Sequence, residues 1–416
     1  MHLTTGVFDV ILYALFFGDL LWWWRADRAL YRLGYAKAWR IVLGIFMASQ
    51  AAGLVFIFLD RSVDLNFPLS KSWLAFTYIW HCLMLFPMML LWVPFAVARA
   101  VVLRVRRLVE IRFGDRTLEA VPGTSPNTSV TRREFARLLA VAAPALVTLG
   151  TASWALWEME RFRIRRMQIT LSQLPAALDG LTIAHVTDIH VGQFTHGKVL
   201  ERIVAETNAL QADLILYSGD LINFELSDLA TGLDVVKRLE AKHGVFMCEG
   251  NHDLFQDADE FRARTRAAGM QLLVNEAATV EIRGEPVQLL GLRWGARDLH
   301  PRNPASRSDE AIETSMEELL PLRDASAFPI LLAHHPHAFD FAGDIPLTLT
   351  GHTHGGQLMV TPDLGCGPML YRYWSGLYEK EGRALVVSNG TGNWFPLRTR
   401  APAEIVHITL RCGQRV

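Results

Sequence analysis

Four stretches of the sequence, about 7–24, 41–59, 73–98 and 138–157, are apolar over close to, or more than, the ~20 residues a helix needs to cross a hydrocarbon core of ~30 Å. All four lie in the first part of a 416-residue chain. In lipid each backbone N–H and C=O must be satisfied within its own segment, so runs of this kind fold as helices. We read all four as spanning helices, which makes 1–157 a transmembrane region and 158–416 a separate domain. The overall apolar content of 51% exceeds that of an ordinary soluble chain. The third stretch is long enough to tilt, and Pro87 and Pro94 would kink it. Trp22, Trp23 and Trp24 close the first stretch where an interfacial aromatic belt belongs.

The distribution of charge sets an expected topology. Arg25, Arg28, Arg32, Lys37 and Arg40 lie between the first two stretches, and nine arginines, Arg99 to Arg137, lie between the last two. Only Arg61 and Lys71 separate the second from the third. Basic loops stay in the cytoplasm, so the N-terminus and the domain after the fourth span are both expected outside, on a multi-pass bacterial inner-membrane protein. Arg161, Arg163, Arg165 and Arg166 oppose this, unless their alternation with Phe162, Ile164 and Met167 marks a strand of the folded domain with a solvated basic side. The run Thr131-Arg132-Arg133-Glu134-Phe135-Ala136-Arg137 resembles a twin-arginine export signal and equally suits a basic flank of an ordinary span. Both readings put the domain outside. A net charge of −1, with its basic residues placed between apolar runs, indicates a membrane and gives no reason to expect nucleic acid.

Within the spans, Asp19 stands one to two turns before Arg25 and suits an interfacial ion pair, and His81 suits a hydrogen bond within the bundle. Residues 114–130, rich in Gly, Pro, Ser and Thr, read as a cytoplasmic linker. Cys82, Cys248, Cys366 and Cys412 are too widely spaced for a disulfide framework or a thiolate metal site.

After about residue 168 the pattern changes to short apolar strands alternating with helices, which predicts one layered α/β domain. Strands are expected at Leu181–Thr187, Asp213–Ser218, Gly244–Cys248, Val287–Leu292, Phe328–Ala333 and Leu347–Thr350. Helices are expected near 197–210, 226–241, 258–268 and 309–320. Polar clusters directly follow five of these strands: Asp188-Ile189-His190, Gly219-Asp220, Gly250-Asn251-His252-Asp253, His334-His335-Pro336 and Gly351-His352-Thr353-His354-Gly355-Gly356-Gln357. An α/β sheet presents its ligands at such strand ends. Carboxylate, imidazole and amide donors without thiolate suit Mn, Fe or Zn, and six to eight of them exceed the needs of one ion. Two divalent ions, two carboxylates and one hydroxide leave about one net positive charge, suited to an anionic phosphate ester.

The ordered set D-x-H, G-D, G-N-H-[DE], a lone His and G-H-x-H resembles the calcineurin-like metallophosphoesterases. G-H-T-H-G-G-Q, Ser388-Asn389-Gly390-Thr391-Gly392 and Pro402-Ala403-Glu404-Ile405 are similar to their bacterial membrane-anchored YkuE/YaeI-like branch. The resemblance spans about 181–411 and implies a layered metallophosphoesterase sandwich. It implies that Asp188, His190 and His354 hold a first divalent ion, that Asp220 bridges, and that Asn251, His334 and His352 complete the second site. It gives His252 a role at the phosphate and as proton donor to the leaving group, without metal binding. His335 is expected to be a solvated loop residue. Phosphoprotein phosphatases of the superfamily carry an Asp three residues after the bridging Asp to orient that histidine. Here Asn223 stands in its place, which leaves His252 less well poised and fits better leaving groups.

The implied activity is hydrolysis of a phosphodiester or pyrophosphate, with a lipid-linked substrate suggested by the anchor. The alternatives are a cytoplasm-facing hydrolase of UDP-2,3-diacylglucosamine type and a catalytically silent metal-binding scaffold. Arg293, Trp294, Arg297, Tyr371, Arg372, Tyr373 and Trp374 are either ordinary packing residues or a rim that meets a phosphorylated headgroup. Oligomeric state leaves no mark in the sequence.

Overall fold

Successive residues of a strand face opposite sides of its sheet, so a strand apolar at every position must be covered on both faces. The central strands of this domain are of that kind, and they organise it. The structure is a computed structural model and describes residues 2–32, 37–63, 70–113, 131–159, 161–295 and 308–413. The chain divides into two compact units, Met1–Trp154 and Ala155–Val416.

The first unit is helical: α1 (His2–Arg32), α2 (Lys37–Val63), α3 (Lys71–Tyr78), a π-helical segment Ile79–Leu85, α4 (Phe86–Phe113) and most of α5 (Arg132–Met159). Among the described residues three stretches are long and apolar enough to cross a membrane: Lys37–Leu59, Lys71–Leu91 and Glu134–Met159. The expected first span, 7–24, lies on α1 and is not among them; from Val10 onward α1 carries Asp19, Arg25 and Asp27. The wide π turn immediately precedes Pro87, which has no N–H to continue a regular helix. Asp19 does not make the ion pair with Arg25 expected from sequence. It is buried, accepts from Trp80 Nε1 at 2.7 Å and lies 2.9 Å from His81 Nε2, while His81 Nδ1 is 2.8 Å from the Thr77 carbonyl. A partner on a neighbouring helix lets the carboxylate stay out of lipid, which a pair with Arg25 along one helix would not achieve. The expected linker 114–130 lies outside the described residues.

The second unit contains β1 (Phe162–Leu171), β2 (Thr182–Val186), α6 (Lys198–Asn208), β3 (Leu214–Ser218), α7 (Leu229–Lys237), β4 (Val245–Cys248), α8 (Ala258–Ala267), β5 (Gln271–Leu272), β6 (Glu276–Ile282) and β7 (Glu285–Gly291). It continues with α9 (Asp309–Leu319), β8 (Phe328–Leu332), α10 (Ala338–Phe341), β9 (Leu347–Thr350), β10 (Met359–Thr361), β11 (Leu364–Gly365), α11 (Cys366–Leu370), β12 (Gly376–Lys380), β13 (Arg383–Val387) and β14 (Ala403–Cys412). Two six-stranded sheets, ordered β1-β14-β2-β3-β4-β5 and β12-β13-β9-β8-β7-β6, pack face to face. Ile183, Leu214 and Leu216 of the first sheet meet Leu289, Ile330, Leu332 and Leu349 of the second in the central core. The alternate residues Ala184, Ile215 and Tyr217 pack under α6 and α7, and Leu290 and Leu331 pack under α9 and α10. The result is a helix–sheet–sheet–helix sandwich. In it β2, β3 and β4 run parallel in one sheet, as β8 and β9 do in the other, so each group ends at one edge.

The six expected strands and four expected helices all occur, within a few residues of their predicted bounds. The arginines at 161–166 belong to β1 and the residue before it. Arg163 and Arg165 pair with the fully buried Glu404 of β14 at 2.7 and 2.9 Å, and Arg161 pairs with Glu158 at 2.8 Å. The basic side is therefore committed to ion pairs and not simply solvated. Glu404 Oε1 also accepts from the backbone N–H of Asn389 at 3.0 Å. Removing one charge of a buried pair strands its partner, at a cost moderated here by the partial exposure of both arginines. Glu404→Gln is expected to destabilise the domain by about 2 kcal/mol, a fall of about 4–8 °C in the thermal transition of the detergent-solubilised chain. An unchanged transition would remove Glu404 from the interactions that hold β1 to the sheet.

Candidate metal centre

The loops that leave β2, β3, β4, β8 and β9 carry the eight site residues predicted from sequence, and the fold brings them together. Asp188, His190 and His354 form one group of converging donor atoms, and Asp220, His334 and His352 form another. Asp220 also groups with His190 and His252. Asn251 lies at the start of the turn that carries His252. Both carboxylates are buried, as are His190, His334 and His354, and His352 and His252 are partly exposed toward the opening.

The backbone is bent to do this. Asp188, His190, Asp220, His352 and His354 all have φ between 50° and 70°, a left-handed conformation that side chains other than glycine seldom adopt. Strain of this kind persists only where surrounding structure holds it, and it gathers at functional sites. The glycines of two motifs make room for the turns. A Cβ on Gly250 would lie 2.2 Å from Asp220 Oδ1, and one on Gly351 would lie 2.0 Å from Asp188 Oδ2.

Each carboxylate is anchored by main-chain and hydroxyl donors. Asp188 accepts from Thr187 Oγ1 at 2.7 Å and from the His352 N–H at 3.1 Å, and Asp220 accepts from the His252 N–H at 2.8 Å. These bonds leave oxygen lone pairs directed at the histidines. His334 Nδ1 is 2.7 Å from the Ser218 carbonyl, which makes Nδ1 the protonated nitrogen and turns Nε2 inward. Nε2 then lies 3.0 Å from Asp220 Oδ2 without the angles of a hydrogen bond. His190 Nε2 and His354 Nε2 face each other at 3.0 Å, and His354 Nε2 is 3.2 Å from Asp188 Oδ1. Asn251 Oδ1 is buried with no hydrogen-bond partner. Lone pairs that converge on a common point without satisfying one another fit a set of ligands for divalent cations.

The electrostatics follow from burial. Loss of solvent lowers His252 to about 4 and His352 well below the ordinary histidine range. Burial acts the same way on His334, but the Asp220 and Asp188 carboxylates outweigh it and push that ring up to about 9. A histidine so placed must give up its proton to bind a cation.

His252 is oriented by a partner that sequence did not suggest. Its Nδ1 lies 2.5 Å from the main-chain carbonyl of Asn223, so the ring is held although Asn223 offers no carboxylate. The poor poise expected of His252 is corrected to that extent. His335 is not a solvated loop residue either; it is buried against Trp294 and His352. Of the expected rim, Trp294 is buried against His334 and His352, Arg293 pairs with Glu318, Arg372 pairs with Asp340, and Tyr373 bonds to Asp340. These are packing and pairing roles. Arg297 lies outside the described residues.

Two supporting residues were missed from sequence. Asp253 accepts four backbone N–H bonds, from Asp220, Leu221, Ile222 and Gly250, and so locks the β3 and β4 loops together. Arg398, fully buried, donates to His354 Nδ1 at 3.0 Å and to the carbonyls of Asn389, Gly392 and Ala401. The G-N-H-D run contained Asp253, but nothing marked Arg398, which lies far from the motif it supports.

Residues 181–356 match the calcineurin-like phosphoesterase family. An uncharacterized metallophosphoesterase of Helicobacter pylori (strain J99) is 31% identical over 258 residues, 61% of this chain and 65% of the relative. A Danio rerio protein named transmembrane protein with metallophosphoesterase domain is 31% identical over 255 residues, 59% of this chain and 56% of the relative. Phosphodiesterase YaeI of Escherichia coli is 27% identical over 292 residues, 68% of this chain and 99% of the relative. The match thus spans less than two thirds of the first two relatives' own length.

Groups that orient a ligand carboxylate govern metal affinity by about 10–100-fold. Thr187→Val keeps the shape of the side chain and deletes its bond to Asp188, so Mn²⁺ affinity measured by titration is expected to fall within that range. An unchanged affinity would show that the Thr187 hydroxyl does not tune Asp188.

Proposed function

Because the domain at residues 181–356 belongs to the calcineurin-like phosphoesterases, we propose that this chain is a membrane-anchored two-metal phosphoesterase acting on a phosphodiester or pyrophosphate, with a lipid-linked substrate favoured. The observation that carries the proposal is the convergence of Asp188, His190, Asp220, His252, His334, His352 and His354 from five strand ends. Asp188, His190 and His354 would hold one ion, Asn251, His334 and His352 the other, and Asp220 both. Donors of this kind suit Mn, Fe or Zn. Such a pair of ions supplies Lewis acidity at the phosphoryl group and an activated water.

The remaining work falls to the chain. Asp220, held by the His252 N–H, keeps its second oxygen turned to His334 and His190. His252, with Nδ1 fixed on Asn223, presents Nε2 to the site and is the proton donor to the leaving oxygen. Burial holds its ring neutral, and an anionic phosphoryl group beside it favours the protonated form needed for donation. The convergence of the aspartates and histidines expected as ligands supports this reading over a silent scaffold. The names of phosphodiesterase YaeI and of the Danio rerio transmembrane relative agree with a diesterase and with a membrane setting.

Purified under metal-replete conditions, the chain is expected to contain about two transition ions per molecule by elemental analysis. Asp220→Asn should abolish hydrolysis of bis(4-nitrophenyl) phosphate. His252→Gln should lower kcat by about 10²–10⁴-fold on unactivated esters with metal content unchanged. Full activity of His252→Gln on such esters would strip it of the acid role.

We place the catalytic domain outside the cytoplasm, reached by four spans from an outward N-terminus. Five and nine basic residues in the proposed inner loops against two in the outer one support this. The arginines at 161–166 weigh less against it, because Arg163 and Arg165 are strand residues paired with Glu404 and Arg161 pairs with Glu158. A C-terminal alkaline phosphatase fusion is expected to be active and a fluorescent-protein fusion dark. Fluorescence without phosphatase activity would reverse the assignment and favour the cytoplasm-facing UDP-lipid hydrolase.

A further inference from the structure

Apart from Trp157 on α5, the largest exposures of apolar side chains in the second unit are concentrated in one short segment. Val360 is 63% exposed, Leu364 56%, Met369 77% and Leu370 68%, all within the β10–β11 hairpin and α11. Elsewhere in the folded domain, among the described residues, the large apolar side chains left in the open (Val199, Leu322, Leu377 and Trp394) are each less than half exposed. Single exposed apolar residues are ordinary, but several in one projecting segment mark an interaction site.

The base of this hairpin is fixed to the metal centre. Gly356, which follows the His352–His354 motif, packs so closely on Gly367 that a Cβ would lie 2.4 Å from its backbone. Thr353 Oγ1 donates to the Trp374 carbonyl at 2.7 Å, and the Tyr371 ring stands edge-on to His352 at 6.1 Å. The apolar tip and the ligand loop are therefore one piece of structure. The tip carries one charge, the exposed Asp363, and no cation of its own, while nearby Arg372 is paired with Asp340 and Arg165 with Glu404.

The geometry points to docking of this hairpin in a lipid bilayer, with Val360, Leu364, Met369 and Leu370 entering the acyl region and the metal centre held at the headgroup layer. The bilayer is the occupant because the same chain carries helices able to cross one, so the domain is tethered within reach of its surface. Tyr371 and Trp374, which follow α11, are residue types that favour that interface. With its arginines paired, the hairpin binds through apolar burial and not through anionic lipid. Docking itself does not depend on the phosphoesterase reading; its consequence for a lipid-borne substrate does.

The test uses the full chain reconstituted in phosphatidylcholine vesicles, with a benzophenone amino acid at position 369 and, as a control, at position 322. Irradiation is expected to give lipid adducts at 369 that persist in 0.5 M salt, and few at 322. Absence of lipid adducts at 369, or adducts only to a second copy of the chain, would overturn docking. The double variant Met369→Asp/Leu370→Asp is expected to lose about tenfold or more activity on a vesicle-borne phosphodiester and to retain hydrolysis of bis(4-nitrophenyl) phosphate. Equal rates of variant and parent on the vesicle substrate would also count against docking. If the parent hydrolyses neither substrate, the phosphoesterase reading fails, and the adducts alone decide the docking.

Discussion

Two carboxylates, Asp188 and Asp220, are buried side by side, and the rest of the domain is arranged around the need to keep them there. An isolated carboxylate removed from water is prohibitively unstable unless charge and hydrogen bonds replace the solvent. Imidazoles lie on one side of the pair and main-chain N–H groups on the other. The main-chain part requires the β4 and β9 loops to present donors to carboxylates carried by the β2 and β3 loops, and left-handed turns occur at Asp188, His190, Asp220, His352 and His354. It also requires glycine at positions 250 and 351, where any side chain would overlap the carboxylates. The imidazole part is incomplete. The His190 and His354 nitrogens at 3.0 Å can share only one proton, Asn251 Oδ1 and His334 Nε2 have no hydrogen-bond partner, and positive charge among them would relieve both the histidines and the acids.

Strained turns need a rigid foundation. The sandwich supplies it because its central strands are apolar on both faces, with the sheet–sheet core below and helices above. Asp253 and Arg398 extend that rigidity into the loops by binding main-chain groups, so the ligand positions are determined by the backbone and not by side-chain rotamers alone. Glu404 carries the same logic to the edge of the sheet, where it couples β1 to the Asn389 loop beside the metal centre.

Much of this was legible in the sequence, for identifiable reasons. Strands such as β3 and β8 are continuous apolar runs ended by a polar cluster, and a run of that form both locates the strand and points to its functional end. The candidate ligand residues could be picked out because each stands within a few positions of such an end. Asp253 and Arg398 could not, since the groups that tie them to the site, the N–H groups of the β3 loop and the His354 ring, lie 31 to 44 positions away in sequence and leave no periodicity. The partner of Asp19 was misread for a related reason: sequence shows the arginine one or two turns along the same helix, whereas the buried partners, Trp80 and His81, come from another. The strands β10 to β12 are short or half-exposed and show no long apolar run, and the hairpin that projects from the site went unnoticed with them; the buried apolar run Ala384–Val387 of β13 was passed over although the sequence shows it.

Under the proposed function, the Asn223 contact bears on the kind of ester that this site would cleave. A carboxylate behind a histidine orients the ring and also stabilises its protonated form, which keeps more of it protonated and ready to donate at neutral pH. A main-chain carbonyl gives the orientation with only a dipole in place of the charge. His252 is therefore well aimed yet weakly charged, and burial lowers its proton affinity further. Such a group serves best when the departing oxygen needs little help, as when a phosphate leaves from a pyrophosphate, or when the substrate's own negative charge raises the proton affinity of the ring. Both conditions hold for a pyrophosphate, which makes it a better match to this site than a simple alkyl monoester.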